Sequence, residues 1–559
     1  MDERMLNRRH MIGGAAALTG LAAFGAVARA QDATPIPIET ETPGTPVPTT
    51  PQASPIAEEP VVFAEWPFYG NTIEGIKFTT DSGIGSGNVQ QLDVAWTATV
   101  GGPISSTPVI GEGLVVIGSY DGILRAFEVG SGALVWSFDT GASSVIEPNL
   151  QVPIGIPGSA AIDNGVVYTG DATGHLHAIN AGTGEIIWSV EPDQQSAASI
   201  WSSPVVANGV LYVGIASVAK EEGFRGVVVA VDAASGETIW EFYVTPEGTD
   251  GGGVFAVPAI DVNRGLLYVG TQNGYSADVS DPGNLMSVIA LNIETGDLVW
   301  SFSGLPDDGT STVADDIAFS ASPNLFTAEV DGVPRDLVGN GQKSGVFWAL
   351  DRDSGEAVWS TEISSAGPLG GMEGTSAVGN GVVVVPATEW ASFDSPTASG
   401  VVRGLDAGSG EILWTQNQDA PNPAPVAIAN DVAFQAGFDG VLRAYALFDG
   451  TLLWSYDLGA SVSGGIAIAG DLVVLGAATP AFAPFIKGGD QVFAFRLVSP
   501  PAVPATPEPA TPEPGTPVPA TPTSEPTEEP TTEPTEVPTE EPTEAPTEEP
   551  ASPEASPQG

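Results

Sequence analysis

Four short stretches of this chain carry polar side chains of the kinds that bind metal ions or move protons. The loop "KEEGFRG" contains Glu221, and "TQNGYS" places Asn273 directly after an apolar run. Carboxylate and amide oxygens are the ligands that Ca²⁺ prefers. "ADDIAFSASP" contains Asp316, whose carboxylate can accept a proton, and "GQKSG" contains Lys343, whose charge can stabilise an anion. Each stretch also has a plain structural interpretation, because solvated acidic loops and Asn-Gly turns are common.

These stretches lie between apolar runs that belong to an internal repeat. Seven segments of the type "GALVWSF" or "GEAVWST" contain a tryptophan, and "LDVAWTATV" adds an eighth. Alternating apolar residues and glycine turns predict four short strands in each repeat. About eight such repeats fit radial closure, so we predict an all-β fold, an eight-bladed β-propeller. The repeat tryptophans, which we interpret as packing residues, are Trp96, Trp136, Trp188, Trp240, Trp300, Trp359, Trp414 and Trp454.

Composition divides the chain into a propeller and two flanking segments. We assign residues 61–498 to the propeller, whereas residues 31–60 and 499–559 are rich in Pro, Thr and Glu and are predicted to be disordered. The formal net charge is −53, and only 16 residues are Lys or Arg, which argues against nucleic-acid binding. The chain has no cysteine, which excludes disulfides and thiolate metal sites.

Residues 1–30 have the pattern of an export signal. Arg8 and Arg9 precede an Ala/Gly-rich apolar run, and Ala28-Arg29-Ala30 forms an A-x-A cleavage site. An arginine pair before a mildly apolar core indicates a twin-arginine signal, which exports folded proteins. We therefore expect a periplasmic, cell-surface or extracellular protein. An uncleaved anchor is the alternative, and no other segment is expected to span a membrane.

The repeat resembles that of a known family of enzymes. The pattern A-x-D-x-x-[ST]-G-x-x-x-W, seen in "ALDRDSGEAVW", is similar to the tryptophan-docking motif of the pyrroloquinoline-quinone (PQQ) dehydrogenase propellers, which have eight blades. The segment "WPFYGNTIEGIKFTTDSGIGSGNVQQLDVAW" resembles their first segment. The likeness covers roughly residues 64 to 496. It is strongest to the polyvinyl-alcohol dehydrogenase branch, as in "GLLYVGTQNGYS" and "GQKSGVFWALD".

The resemblance implies roles for particular residues. Glu221 and Asn273 match the family's Ca²⁺ ligands, and Lys343 matches the cation beside the quinone. The family's base is an Asp immediately before Phe, but here that position holds Ala318, so Asp316 would be the substitute base. Phe255 is the nearest candidate for the aromatic that supports the quinone ring, where relatives have Trp. A second family tryptophan is replaced by Gly374.

Two functions therefore remain open from the sequence. The first is an exported dehydrogenase that oxidises a small-molecule alcohol by hydride transfer to PQQ with Ca²⁺, and passes the electrons to a separate acceptor. The second is a non-catalytic propeller that has lost the general base and binds a protein or glycan ligand. The retained metal and lysine positions favour the first, and Ala318 favours the second.

Overall fold

Eight antiparallel sheets form a closed β-propeller, as the repeat predicts. A computed structural model describes residues 64–147, 152–217, 223–275, 283–304, 317–366, 370–390, 398–480 and 486–498. All of them belong to the compact unit Phe63–Gly559, whereas the unit Met1–Val62 lies outside the described residues. The predicted signal, linker and tail lie wholly outside them. None of the helices in the described ranges has the length and hydropathy needed to cross a bilayer.

The first part of the chain supplies four blades and six short elements outside them. Strand β1 spans Phe78–Thr79, a 3-10 helix spans Val89–Gln91, and β2 spans Leu92–Thr99. A second 3-10 helix (Ala142–Ser144) and a hairpin of β7 (Ile146–Glu147) with β8 (Val152–Pro153) follow blade I. Blade I contains β3 (Val109–Gly111), β4 (Leu114–Gly118), β5 (Ile123–Glu128) and β6 (Leu134–Asp139), and blade II contains β9 (Ala161–Asp163), β10 (Val166–Gly170), β11 (Leu176–Asn180) and β12 (Ile186–Val190). Blade III contains β13 (Ala198–Ser199), β14 (Val205–Ala207), β15 (Val210–Ser217), β16 (Val227–Asp232) and β17 (Thr238–Tyr243). Blade IV contains β18 (Ala259–Asp261), β19 (Leu266–Gly270), β20 (Ser287–Asn292) and β21 (Leu298–Ser303).

The second part of the chain supplies the other four blades. Blade VII gains β1 as a parallel partner of its first strand, β30. Blade V contains β22 (Asn324–Val330), β23 (Val333–Gly341), β24 (Val346–Asp351) and β25 (Ala357–Glu362), and blade VI contains β26 (Ala377–Gly379), β27 (Val382–Glu389), β28 (Ser399–Asp406) and β29 (Ile412–Gln418). Blade VII contains β30 (Ala427–Ala429), β31 (Val432–Gln435), β32 (Val441–Ala446) and β33 (Leu452–Asp457). Blade VIII contains β34 (Ile466–Ala469), β35 (Leu472–Ala477) and β36 (Gln491–Leu497).

Blade VIII closes the ring with strands from both ends of the propeller. Its three inner strands are β34 to β36, and its outer strand is β2, which pairs antiparallel with β36 from Leu92–Leu497 to Thr99–Gln491. The large cluster of buried side chains at this closure includes Trp96, Phe434 and Phe495. A closed ring leaves only short strand edges between blades.

The repeat tryptophans join each blade to the next. Seven of the eight donate the indole N–H to a main-chain carbonyl of the following blade at 2.7–3.2 Å. Trp300, for example, donates to the carbonyl of Arg352 at 3.2 Å. Its ring covers Gly355, which has a φ of +74° and where an added Cβ would lie 2.6 Å from the ring. The glycine of the motif is therefore required by both its backbone conformation and the tryptophan above it.

The turn before the repeat glycine is held in most blades by the Asp, Asn or Glu of the motif. In blade V, Oδ1 of Asp351 accepts hydrogen bonds from the main-chain N–H groups of Asp353 at 3.1 Å and Ser354 at 3.0 Å. The Ser354 hydroxyl also donates to this oxygen at 3.0 Å. A carboxylate that caps its own turn fixes the glycine beneath the neighbouring tryptophan. Each copy of the motif thus takes part in two joints: Gly355 lies under Trp300 of the preceding blade, and Trp359 covers Gly410 of the following one.

Two arginines strengthen the joint between blades IV and V. Arg352 Nη1 lies 2.9 Å from Asp261 Oδ2, and Arg264 Nη1 lies 3.0 Å from the same oxygen. Arg264 also contacts Asp336 at 2.7 Å and Asp353 at 2.8 Å. Burial would raise the pKa of the Asp261 carboxyl, but hydrogen bonds from Arg352 and Arg264 outweigh it and hold that pKa below its usual value.

The centre of the ring is organised by main-chain contacts with one segment, residues 66–83, which we call the inner segment. It passes the first strands of successive blades and accepts a hydrogen bond from most of them. Trp66 pairs with Ile110 of blade I through two hydrogen bonds of 2.8 Å. Ile162, Ile260, Leu325, Val378 and Ile428 then donate their N–H groups, at 2.8–2.9 Å, to the carbonyls of Pro67, Ile73, Glu74, Ile76 and Lys77.

Hydroxyl side chains connect the blades just before their first strands. Each hydroxyl oxygen accepts a hydrogen bond from a main-chain N–H group of an adjacent blade. This N–H group is buried and lies outside the strand pairing, so the hydroxyl provides its hydrogen-bond partner. The pairs are Thr107 N to Ser159 Oγ, Ser159 N to Ser203 Oγ, Val257 N to Ser322 Oγ, Ser322 N to Thr375 Oγ1 and Gly465 N to Thr107 Oγ1, at 2.8–3.1 Å. These residues surround one end of the propeller axis.

Candidate functional site

A cavity of about 270 Å³ lies at this end of the axis, and we call it the axial cavity. Every blade contributes to its wall through the residues that precede its first strand. Tyr69 of the inner segment adds the remaining side chain. The lining residues are Tyr69, Ser105, Pro157, Gly158, Ser159, Trp201, Ser203, Phe255, Val257, Ser320, Ser322, Glu373, Pro423 and Ser463. The cavity therefore combines hydroxyl groups, three aromatic rings and one carboxylate.

Two of the aromatic rings form a pair on one side of the axial cavity. Trp201 and Phe255 come from blades III and IV, and their ring centroids lie 5.6 Å apart at an interplanar angle of 88°. An edge-to-face pair of this kind is a stable arrangement of aromatic rings. It fixes the orientation of Phe255, the residue that the resemblance implies as the support of a flat ring.

The third ring, Tyr69, is held from two directions. Its hydroxyl donates to Thr375 Oγ1 at 2.8 Å, and burial raises the pKa of Tyr69 to about 12. Lys77 Nζ lies 3.3 Å from the centroid of the Tyr69 ring and donates to the Tyr69 carbonyl at 2.5 Å. Because Lys77 is fully buried, its pKa lies well below the ordinary value. Tyr69 is therefore a rigid part of the cavity wall.

Lys343 lies beside the axial cavity and is paired with a carboxylate in its wall. Its Nζ is 3.2 Å from Oε1 of Glu373, and its side chain is only 9% exposed. The main-chain N–H of Lys343 donates to the carbonyl of Ala318 at 2.9 Å. The cation implied by the resemblance and the position of the absent base are therefore neighbours. Asp316 lies outside the described residues, so its assignment as a substitute base stays a prediction.

Asn273 lies close to the cavity wall but does not line it. Its neighbour Gln272 donates through Nε2 to Ser320 Oγ at 3.1 Å, and Ser320 does line the cavity. Asn273 is buried, and its Nδ2 donates to the Gly274 carbonyl at 3.1 Å. Its own carbonyl accepts the N–H of Gly252 at 3.0 Å. The amide group is thus held in place near the cavity, which suits a ligand role.

A buried carboxylate, Asp250, lies between the Asn273 segment and the loop that follows Glu221. Gly251, the next residue, pairs with Gly274 on one side and with Arg225 on the other. Asp250 is 7% exposed, and among the described residues its Oδ1 has no hydrogen-bond partner. Glu221 itself lies outside the described residues. Within the described ranges, no three His, Asp or Glu residues gather as a metal site.

The replacement of a family tryptophan by Gly374 has a steric explanation. An added Cβ at this position would lie 2.8 Å from the carbonyl oxygen of Ala424 and 2.9 Å from that of Pro423. Both contacts are with backbone, which cannot move aside cheaply. No side chain fits at position 374 in this backbone, and the polar group that enters the cavity comes from the preceding residue, Glu373.

The structure brings Phe255 into the axial cavity and Lys343 beside it, with Asn273 behind the wall. It also adds residues that sequence reasoning missed, namely Trp201, Tyr69, Glu373 and Asp250. Only Trp201 carried a usable signal, because it is a tryptophan outside the repeat series and directly precedes "SSP". Glu373 and Asp250 gave none, since one acid in a glycine-rich loop resembles any other.

The fold and the axial cavity define a tryptophan-docked propeller of the dehydrogenase type. The family model for the β-propeller domain of glucose, ethanol and alcohol dehydrogenases matches residues 66–375. That match covers more than half of the chain, so the chain belongs to this family. The model for the outer membrane protein assembly factor BamB matches residues 398–505.

Individual relatives agree with this assignment. The chain is 29% identical over 451 residues to a polyvinylalcohol dehydrogenase of Pseudomonas sp, covering 71% of this chain and 68% of the relative. It is 26% identical to a polyvinylalcohol dehydrogenase of Sphingopyxis sp. (strain 113P3), covering 71% and 67%. The crystal structure of quinohemoprotein alcohol dehydrogenase from Comamonas testosteroni superposes with a TM-score of 0.67 at 20% identity, covering 78% and 80%. At that identity it supports the fold alone.

Proposed function

We propose that the protein is an exported alcohol dehydrogenase that binds PQQ and Ca²⁺ at the axial cavity. The family match supports the reaction class, because the model describes glucose, ethanol and alcohol dehydrogenases. One observation carries the proposal: an ammonium, a carboxylate and an aromatic pair meet at one cavity, through Lys343, Glu373, Trp201 and Phe255. The substrate would be an alcohol, and a separate acceptor would take the electrons.

The cavity suits a compact, flat and anionic ligand. Its volume of about 270 Å³ is near the lower end for small-molecule sites, which are commonly about 300–1,000 Å³. Phe255 offers an aromatic surface for stacking, and Lys343 offers positive charge for carboxylate or quinone oxygens. When bound, the quinone would supply a hydride acceptor. Tyr69 and Trp201 would close the wall against water and orient the substrate.

Asn273 and Asp250 would hold the Ca²⁺, together with Glu221, the ligand predicted from the family resemblance. Calcium takes carboxylate and amide oxygens at flexible geometry. Oδ1 of Asp250, which has no hydrogen-bond partner among the residues that the structure describes, supports this assignment, because a buried carboxylate oxygen is costly unless a cation or water satisfies it. The carboxylates of Asp250 and Glu221 and the amide oxygen of Asn273 are the donor types that a hard divalent cation such as Ca²⁺ takes, and further oxygen ligands can complete its coordination.

Reconstitution with PQQ and Ca²⁺ tests the proposal. We expect a bound-quinone absorbance band, a raised melting temperature and dye reduction that depends on added primary or secondary alcohols. Lys343→Ala should lower the turnover by about 100-fold or more, as expected for loss of a charged group that stabilises developing negative charge. If wild-type protein shows neither quinone absorbance nor a shift in melting temperature, the cofactor assignment is wrong.

The metal site has a test of its own that does not need turnover. Calorimetric titration of the metal-stripped protein with Ca²⁺ should give one site, and Asp250→Asn should weaken it by about 10- to 100-fold, because one charged ligand becomes neutral. Asp297→Asn, on an exposed turn of blade IV, is the matched control and should leave the affinity unchanged. Equal affinities for Asp250→Asn and wild type would remove Asp250 from the ligand set.

A second candidate function has its own support. Ala318 occupies the family's base position, and the model that matches residues 398–505 is that of an assembly factor. The propeller would then bind a protein or glycan without reacting. The reconstitution experiment separates the two functions, since this alternative predicts no alcohol-dependent reduction of any bound quinone.

A further inference from the structure

We infer that Glu373 is the general base of this site and takes the place of the carboxylate absent at position 318. The inference rests on the proposed function, because it assigns a residue to the alcohol oxidation described above. Glu373 is the only carboxylate among the residues that line the described axial cavity. It comes from blade VI, whereas Ala318 precedes blade V, so the base would reach the substrate from the neighbouring blade.

The two positions lie on either side of Lys343. The N–H of Lys343 donates to the Ala318 carbonyl at 2.9 Å, and its Nζ lies 3.2 Å from Glu373 Oε1. Ser320 and Ser322, which follow Ala318, line the same cavity as Glu373. Glu373 therefore lines the same cavity as the segment that directly follows position 318. The Glu373 side chain is 25% exposed, which leaves it open to a ligand in the cavity.

The backbone around Glu373 is held rigidly, as a catalytic group requires. Met372 is fully buried and its N–H donates to the Gln342 carbonyl at 3.2 Å, while the Gly371 carbonyl accepts the N–H of Thr388 at 2.9 Å. On the other side, Gly374 is packed against the backbone of blade VII, and Thr375 is hydrogen-bonded to Tyr69. Only the Glu373 side chain of this stretch lines the axial cavity.

The step balances as a two-electron oxidation. A carboxylate oxygen of Glu373 takes the hydroxyl proton of the alcohol, and the C–H bond of the carbinol carbon breaks with its electron pair moving to the quinone as hydride. The alcohol would become an aldehyde or ketone, with its hydride accepted by the bound quinone and its proton released from Glu373 to complete the two-electron reduction. Lys343, which is paired with Glu373, would stabilise the negative charge that develops on a bound quinone.

Glutamine at position 373 tests the inference, because it keeps the size and polarity of the side chain but cannot take the proton. In Glu373→Gln, we expect PQQ affinity within about 10-fold of wild type, measured by titration of the quinone absorbance. Single-turnover reduction of the bound quinone by alcohol should fall by about 10²- to 10⁴-fold. Glu362→Gln, the same change on the outer strand of blade V, is the control and should reduce the quinone at the wild-type rate.

A second variant keeps the test decisive. Ala318→Asp placed in the Glu373→Gln protein should restore part of the lost rate, because it returns a carboxylate to the family's base position beside Lys343, while melting temperatures verify folding. Glu373→Gln that reduces bound quinone as fast as wild type would overturn the inference and leave the proposed function intact. If wild-type protein binds no PQQ at all, the proposed function fails instead, and the role of Glu373 as its base fails with it.

Discussion

On the outer rim of the propeller each blade contributes the same residues, whereas at the axial cavity each contributes different ones. Seven repeat tryptophans make the same hydrogen bond to the next blade. In the cavity the equivalent wall positions hold serine, tryptophan, phenylalanine, proline or glutamate. Identical contacts build a ring, and only departures from the repeat can build an asymmetric site. Stability and chemistry should therefore respond to mutations in different places.

The largest expected loss of stability is at the rim. Trp414 is buried, donates to the Leu447 carbonyl at 2.8 Å and covers Gly450. Trp414→Ala should lower the free energy of unfolding by about 3–5 kcal/mol, measured by denaturant titration. Trp201→Ala is the control in the cavity, where the ring is only partly buried, and its loss should be smaller. Equal losses would mean that rim and cavity do not differ in the way we describe.

The ion cluster between blades IV and V gives the next largest effect. Asp261→Asn should cost about 3 kcal/mol at neutral pH, because it leaves Arg352 buried without its anionic partner. The folded-state pKa of Asp261 is depressed, so its stabilisation is complete above the unfolded pKa of about 3.9 and is lost as the pH falls through the lower folded value.

Urea titrations at pH 7 and near pH 3 measure this dependence. Wild type should lose more stability between the two pH values than Asp261→Asn does. The control is Asp353→Asn, whose side chain is 71% exposed and whose loss should stay within about 0.5 kcal/mol. The same pH dependence in wild type and Asp261→Asn would contradict the assignment.

Position 374, near the axial cavity, should not accept the tryptophan that the family has there without a loss of stability. Gly374→Trp should destabilise the protein by about 1–3 kcal/mol or more, because its Cβ would meet the backbone of blade VII. Gly374→Ala should already show a loss of the same sign in thermal unfolding. A Gly374→Trp protein with an unchanged melting temperature would show that the backbone can open here.

The smallest effect concerns ligand affinity. Phe255→Trp enlarges the aromatic surface in the cavity and should tighten PQQ binding by about 2- to 10-fold, in line with the usual strength of an aromatic contact. Phe242→Trp, on the outer strand of blade III, is the matched control and should leave the affinity unchanged. Weaker binding by Phe255→Trp in a normally folded protein would place the quinone away from this ring.

The fold could be predicted from sequence because the residues that make the joints recur in one short motif. The acid, the glycine and the tryptophan of "ALDRDSGEAVW" lie within one short motif, and the same joint recurs around the ring. The site could be predicted only where the family resemblance carried it, as for Lys343 and Phe255. Glu373 could not be found, because its relation to Lys343 depends on the packing of blade VI against blade V. Glu221 and Asp316 remain predictions.

The closure of the ring by β2 and β36 has a consequence for how the chain folds. The two strands are separated by about 400 residues, so their pairing carries a large loop-closure entropy and is expected to form late. Until this pairing forms, β36 has an unpaired strand edge and blade I is not covered by a complete blade VIII. Nascent chains can aggregate through such exposed surfaces. Circular permutation that links the end of β36 to the start of the inner segment would bring β2 within about 30 residues of β36 and should speed refolding without altering the cavity.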